Sequence, residues 1–295
     1  MTLSRATRGT SLSRRNFLVG AAACIVAPGF YAGEIERHWT EITHTDALVP
    51  NLPPGFEGVR IAQLSDIHLD EFTEPYYLRD VVHAVNKLAP DFVFLTGDFV
   101  SDGPLPRRIA RHAAPHCAAI LSELTCANVY ACLGNHDFLT DPKLVGDALT
   151  SARIHVLRNS HLPIERNGSR IWLAGLDDPL CAMPDPDAAI PASIRQIPSE
   201  PVLLLCHGPD YADILLRHPA GKSVSLMFSG HTHGGQVRLP FLGPVHLPRM
   251  GQKYVEGWFH LGNLNLYVNR GIGTVELPFR FNCPPEVTLF TLKKA

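Results

Sequence analysis

Apolar residues are grouped along this chain in short, unbroken blocks. Val59–Leu64, 91–96, Val129–Leu133, Ile154–Leu157, Ile171–Ala174, Val202–Cys206 and Val224–Phe228 are too short for buried helices and lack polar alternation. That pattern predicts strands buried on both faces. Ile35–His44 reads as an opening strand, followed by a turn at Asn51-Leu-Pro-Pro-Gly. Between blocks the spacing becomes helical. Leu78, Val81, Val82, Val85 and Leu88 fall on one face of a helix over Tyr76–Leu88, and a second helix is expected over Arg107–Leu124. The tail from Tyr254 to Leu292 has strand-like runs at Leu266–Val268 and Val287–Leu292 and no helix, so the sheet is expected to finish antiparallel. The proline- and aspartate-rich stretch 177–200 reads as a loop or lid, because strand patterns resume on both sides. Short strands alternating with helices predict an α/β fold with sheet layers covered by helices.

Where the polar residues fall gives this pattern its chemistry. Asp66 and His68, Asp98, Asn135, His207, and His231 with His233 each follow directly on an apolar block. In α/β sheets the carboxyl ends of strands line the ligand crevice, so these ends can converge. Taken singly, each has an ordinary structural explanation, as a turn, a cap or a core histidine. Together and in order, they offer mixed nitrogen and oxygen donors suited to two adjacent cations. Asp98 is the natural bridging carboxylate, Asn135 a neutral carbonyl donor, and His207 a neutral imidazole. The glycines around His231-Thr-His233 permit close backbone approach.

Composition narrows the partners. The chain has 295 residues, 45% of them hydrophobic, with a formal net charge of −2, which provides no basic field for nucleic acid. None of its seven cysteines forms a Cys-x-x-Cys pair, which excludes zinc-ribbon and thioredoxin-like sites, and buried free thiols are the favoured state. Residues 1–33 read as a twin-arginine signal peptide or an N-terminal membrane anchor. They carry Arg14-Arg15 before a moderately apolar run from Ala21 to Ala27, and residues 34–295 are expected to form one folded domain. Export to the periplasm or the outer face of the inner membrane is the expectation, through the twin-arginine machinery.

The series Asp-x-His, Gly-Asp, Gly-Asn-His-Asp, a later His and Gly-His-x-His resembles the calcineurin-like metallophosphoesterase superfamily over residues 59–240. Cys206-His-Gly-Pro-Asp, Ser229-Gly-His-Thr-His-Gly-Gly-Gln and Tyr267-Val-Asn-Arg-Gly-Ile-Gly-Thr are similar to its bacterial YkuE/YaeI-like phosphodiesterase branch. The resemblance implies a four-layer αββα sandwich of two mixed sheets, with the metal site at the carboxyl ends of strands. It implies that Asp66, His68, Asp98 and His233 hold one ion, and that Asp98, Asn135, His207 and His231 hold the other. His136 would act beside the phosphate, with Asp137 as its support. Ser101 stands where purple acid phosphatases carry the iron-binding tyrosine, which leaves Mn2+, Zn2+ or Fe2+ as candidates. The implied reaction is hydrolysis of a phosphodiester or pyrophosphate by in-line attack of a metal-bridging hydroxide. A UDP-2,3-diacylglucosamine-type pyrophosphatase is one alternative, since a member of the branch has that activity. A non-catalytic metal-binding scaffold is another, and an exonuclease is disfavoured by charge. Arg270 is a candidate phosphate contact. Phe241-Leu-Gly-Pro and Leu277-Pro-Phe are a candidate apolar rim for a lipid-linked substrate.

Overall fold

The computed structural model describes residues 26–69, 72–102, 107–197 and 199–295. Arg14-Arg15 and the start of the apolar run lie outside them. The described chain opens as a helical segment over 26–38, not as a strand, and β1 (Glu41–Val49) begins later than its apolar residues suggest. The helical turns dock on the body: Ala32 and Glu36 are buried, and Cys283 N–H donates to the Glu36 carboxylate at 2.5 Å.

Two six-stranded sheets follow. The first is ordered β1-β14-β2-β3-β4-β5, where β2 is Arg60–Leu64, β3 Phe92–Leu95, β4 Val129–Ala131, β5 His155–Val156 and β14 Glu286–Lys294. The second is ordered β12-β13-β9-β8-β7-β6, where β6 is Ser160–Arg166, β7 Ser169–Gly175, β8 Val202–Leu205, β9 Val224–Ser229, β12 Gly257–Leu261 and β13 Leu264–Val268. The central strands of each sheet run parallel, and β3, β4, β8 and β9 are wholly buried, which is why they read as continuous apolar blocks. The tail mixes directions. β14 is antiparallel to β2 but parallel to β1, and β13 is antiparallel to β12 but parallel to β9.

Helices α1 (Pro75–Leu88), α2 (Arg107–Leu121), α3 (Asn135–Thr140) and α4 (Pro142–Ser151) pack their apolar faces on the outer side of the first sheet. Phe94, Phe228 and Phe290 fill the layer between the sheets, with edge-to-face rings 5.2 and 5.1 Å apart. Stretch 177–200 is not a free lid. Its short helices α5 (Pro186–Ala189) and α6 (Ala192–Arg195) bury Ala189, Ile190 and Ile194 on the outer face of the second sheet. The result is the four-layer sandwich. All six cysteines among the described residues are free; Cys181 alone is exposed.

Candidate metal centre

Both sheets deliver their carboxyl ends to one place. Past β2 and β3 the chain stays paired, with Asp66 N–H donating to Gly97 O at 2.9 Å and His68 N–H to Asp98 O at 3.0 Å. Gly230 N–H donates to His207 O at 3.1 Å in the same way past β8 and β9. Buried Gln63 crosses between the layers, its amide donating to Thr96 Oγ1 and to Ser229 O, each at 3.0 Å. Asp66, His68, Asp98, His231 and His233 all adopt positive φ, from 48° to 74°. Such left-handed backbone costs a non-glycine residue about 1 kcal/mol or more, and persists where surrounding structure imposes it. Glycine makes the convergence possible. A Cβ on Gly230 would lie 1.8 Å from Ser65 Oγ, and one on Gly134 would lie 2.2 Å from Asp98 Oδ1.

Two resulting clusters, Asp66–His68–His233 and Asp98–His207–His231, are wholly buried, and a third grouping, His68–Asp98–His136, overlaps them with His136 half-buried. His207 Nε2 lies 3.0 Å from Asp98 Oδ2, His68 Nε2 lies 3.1 Å from His233 Nε2, and His233 Nε2 lies 3.4 Å from Asp66 Oδ1. Donors that share an ion at about 2.0–2.2 Å stand about 3–3.5 Å apart, so these spacings fit divalent cations. Asp98 touches both groups, through His207 and, at 3.6 Å, His68. Asn135 Oδ1 is buried with no hydrogen-bond partner, an orphan that a cation would satisfy.

Neighbours fix the imidazoles. His207 Nδ1–H donates to Thr96 O at 2.6 Å and His231 Nε2–H to Arg249 O at 2.7 Å, which leaves His207 Nε2 and His231 Nδ1 as the ring nitrogens available to the cluster. Ser101 Oγ sits 2.9 Å from His68 Nδ1, leaving Nε2 to face the cluster. Protonation tells the same story. Burial drives His68 down to about 3 and His231 to about 4, and holds His233 well below the usual range, so these rings stay neutral and ligand-ready. Burial also works against charge on His207, but Asp98 outweighs it and raises His207 well above its ordinary value. Asp98 is held low in return, by His207 and His136 against its own burial. The pair demands a positive charge, which a divalent ion supplies as a proton would.

His136 and Asp137 part company. Asp102 N–H donates to His136 Nδ1 at 3.0 Å, so the other nitrogen, Nε2, carries the proton on a ring that lines the cavity. His136 therefore presents a donor. Asp137 does not support that ring. Its carboxylate accepts the N–H groups of Asp98, Phe99 and Gly134, all at 2.9 Å, and it is fully buried away from the cavity. Burial and Asp98 push Asp137 up to about 8 against the pull of those donors. Asp137 clamps two strand ends together and does not reach the cavity.

Arg270 also departs from expectation. It pairs with Glu41 at 2.6 Å and Glu286 at 3.4 Å and does not line the cavity, so its charge is already satisfied. Three residues have roles that the sequence did not show. Fully buried Arg280 donates to the carbonyls of Arg270, Gly271 and Gly273 and reaches within 3.4 Å of His233 Nδ1. Arg249 lines the cavity and positions His231 through its carbonyl. Gln236 ties Val275 and Leu277 to the cavity wall. Only the glycine-rich run ahead of Gln236 could have flagged any of them. The cavity itself, about 460 Å3, exposes Asp98, Asn135, His136, His231 and His233 at its polar end and Leu180, Val245 and Leu277 elsewhere.

Comparison with known proteins agrees with this geometry. Residues 59–235 match the family model described as calcineurin-like phosphoesterase. The chain is 36% identical to the uncharacterised metallophosphoesterase YkuE of Bacillus subtilis, over 96% of this chain and 98% of that protein. It is 32% identical to the phosphodiesterase YaeI of Escherichia coli, over 95% and 99% respectively. It is 25% identical to the UDP-2,3-diacylglucosamine pyrophosphatase LpxG of Chlamydia muridarum, over 92% and 95%. With its two histidine–carboxylate clusters set at the carboxyl ends of two packed sheets, the chain belongs to the calcineurin-like phosphoesterase family and is a metal-dependent phosphoesterase.

Proposed function

We propose that the chain hydrolyses a phosphodiester or pyrophosphate bond, with Asp66, His68, Asp98 and His233 holding one divalent ion and Asp98, Asn135, His207 and His231 the other. When bound, the ions supply Lewis acidity and an acidified water. His136 does the chain's own part, its Nε2–H placed to donate to the phosphoryl or leaving-group oxygen as negative charge develops there. Asp102 N–H keeps that proton on Nε2 by occupying Nδ1.

The observation that carries the diester reading is the cavity wall. Among the described residues Arg249 is its one arginine or lysine, while Leu180, Val237, Val245, Leu247 and Leu277 make it apolar. A monoester dianion wants more positive charge, whereas a diester or pyrophosphate brings a second substituent that occupies such a wall. The names of the Escherichia coli and Chlamydia relatives support a diester and a pyrophosphate respectively. Asp98→Asn and His231→Ala should each abolish hydrolysis of an aryl phosphodiester in metal-replete buffer. Undiminished turnover in both would end the proposal. Running phosphomonoester, phosphodiester and UDP-sugar lipid substrates side by side ranks the substrate classes.

The basic, twin-arginine sequence before Val26 supports export, with the site acting outside the cytoplasm. Retention of the protein in the cytoplasmic fraction of the native cell, unchanged by Arg14→Lys with Arg15→Lys, would refute export by this route.

A further inference from the structure

Resting on the phosphoesterase reading above, we propose that the apolar collar around the cavity mouth is a docking surface for a lipid bilayer, which seats the metal centre on membrane-embedded phosphoesters. Three separate segments build this collar. The first is the helical turn bearing Phe30 and Trp39. The second is a hairpin of β10 (Arg238–Leu239) and β11 (Gly243–Pro244) with Phe241 and Leu242 at its tip. The third is the loop carrying Leu277. Phe241 is as exposed as a residue can be, Leu242 is 80% exposed and Trp39 64%.

The segments are joined to one another and to the cavity. Val245 N–H donates to Val237 O at the hairpin's base, and Val245 and Leu277 themselves line the cavity of the metal centre. Arg238 N–H donates to Phe281 O at 2.9 Å, and Arg280 N–H to Ala32 O at 3.0 Å, which links hairpin, loop and helical turn. A second cavity, about 600 Å3, lies between Tyr31 and Trp39 on one side and Pro240 and Phe281 on the other, with Glu36, Glu41 and Asn282 as its polar lining. The surface thus runs from Tyr31 and Trp39 past the hairpin to Val245 and Leu277 at the edge of the active site.

Its character favours lipid over a protein partner. Large apolar side chains fully exposed on a hairpin tip are costly in water, and burying them in the acyl boundary recovers that cost. The sequence that leads into Val26 from residue 21 is itself apolar, Ala-Ala-Ala-Cys-Ile, and so is lipid-compatible in composition. Two weak apolar anchors together give firm attachment where one is marginal. Arg238, on the hairpin itself, is paired with Glu256, and the exposed charges beside the collar, Glu34 and Glu276, are acidic, so insertion and not attraction to anionic headgroups would drive binding.

The full chain should therefore partition onto neutral phosphatidylcholine vesicles, and persist there in high salt, where attraction through Arg14 and Arg15 is screened. Trp39 fluorescence should be quenched by brominated phosphatidylcholine. F241S combined with L242S should weaken partitioning at least about tenfold, reduce the quenching, and leave hydrolysis of a soluble aryl phosphodiester unchanged. Equal partitioning of the two proteins would overturn the proposal, as would a wild type that ignores vesicles or instead self-associates through this surface. Loss of soluble hydrolysis in both proteins would speak against the phosphoesterase reading, and the partitioning ratio would still judge the collar.

Discussion

Ser101 orients His68 through the 2.9 Å contact to Nδ1, and His136 takes its proton position from Asp102 N–H. These two contacts separate metal binding from chemistry. Ser101→Ala should weaken divalent-metal affinity by about 10- to 100-fold, read by metal titration, because the ring loses the contact that fixes its tautomer. His136→Ala should leave metal content intact and lower turnover by about 10²- to 10⁴-fold, the usual contribution of a positioned acid. Equal metal loss in both variants would make His136 a ligand instead. Protons and metal also compete at Asp66, raised to about 6 by burial with Asp98 adding to the rise and His207 opposing it. The ion binds the charged form, so apparent affinity should fall as pH drops through about 6, measurable by titration at several pH values. Asp137 was legible as important in the Gly-Asn-His-Asp motif, but its duty was not. Spacing places it next to His136, and only the folded chain turns its carboxylate toward the three N–H groups of strands that the sequence keeps apart.

The elements that carry the site were the most legible, for a physical reason. Parallel strands buried on both faces are written as apolar blocks, and β2, β3, β8 and β9 are of that kind. The edges were not. β6 is half exposed and interrupted by Pro163, which only an edge strand tolerates, and β12 has no fully buried position. Helix α4 hides behind Asp141-Pro142, a cap-and-first-turn pair whose carboxylate accepts from Lys143 and Leu144 N–H. The opening strand was misplaced because Ile35 and Trp39 face outward on helical turns, not inward on a sheet. In the shared layer between the sheets, Phe290→Ala removes a ring that meets Phe228, Tyr267 and Trp258. Its cost should be about 3–5 kcal/mol in denaturant unfolding, and a loss below about 1 kcal/mol would mean the layer closes over the gap.

For the molecule as a whole, the metal centre also ties its two halves together. One sheet contributes Asp66, His68, Asp98 and Asn135 and the other His207, His231 and His233, so ions held between them cross-link the layers. Chelation should lower the melting temperature, and divalent metal at 100 times its dissociation constant should restore about 2.7 kcal/mol. The most direct test of the account is the metal content of purified, manganese-reconstituted protein, compared with Asp98→Ala. The account predicts two ions per wild-type chain and loss of both, or nearly both, when the shared carboxylate is removed. One ion or none in the wild type, or an unchanged content in the variant, would contradict it.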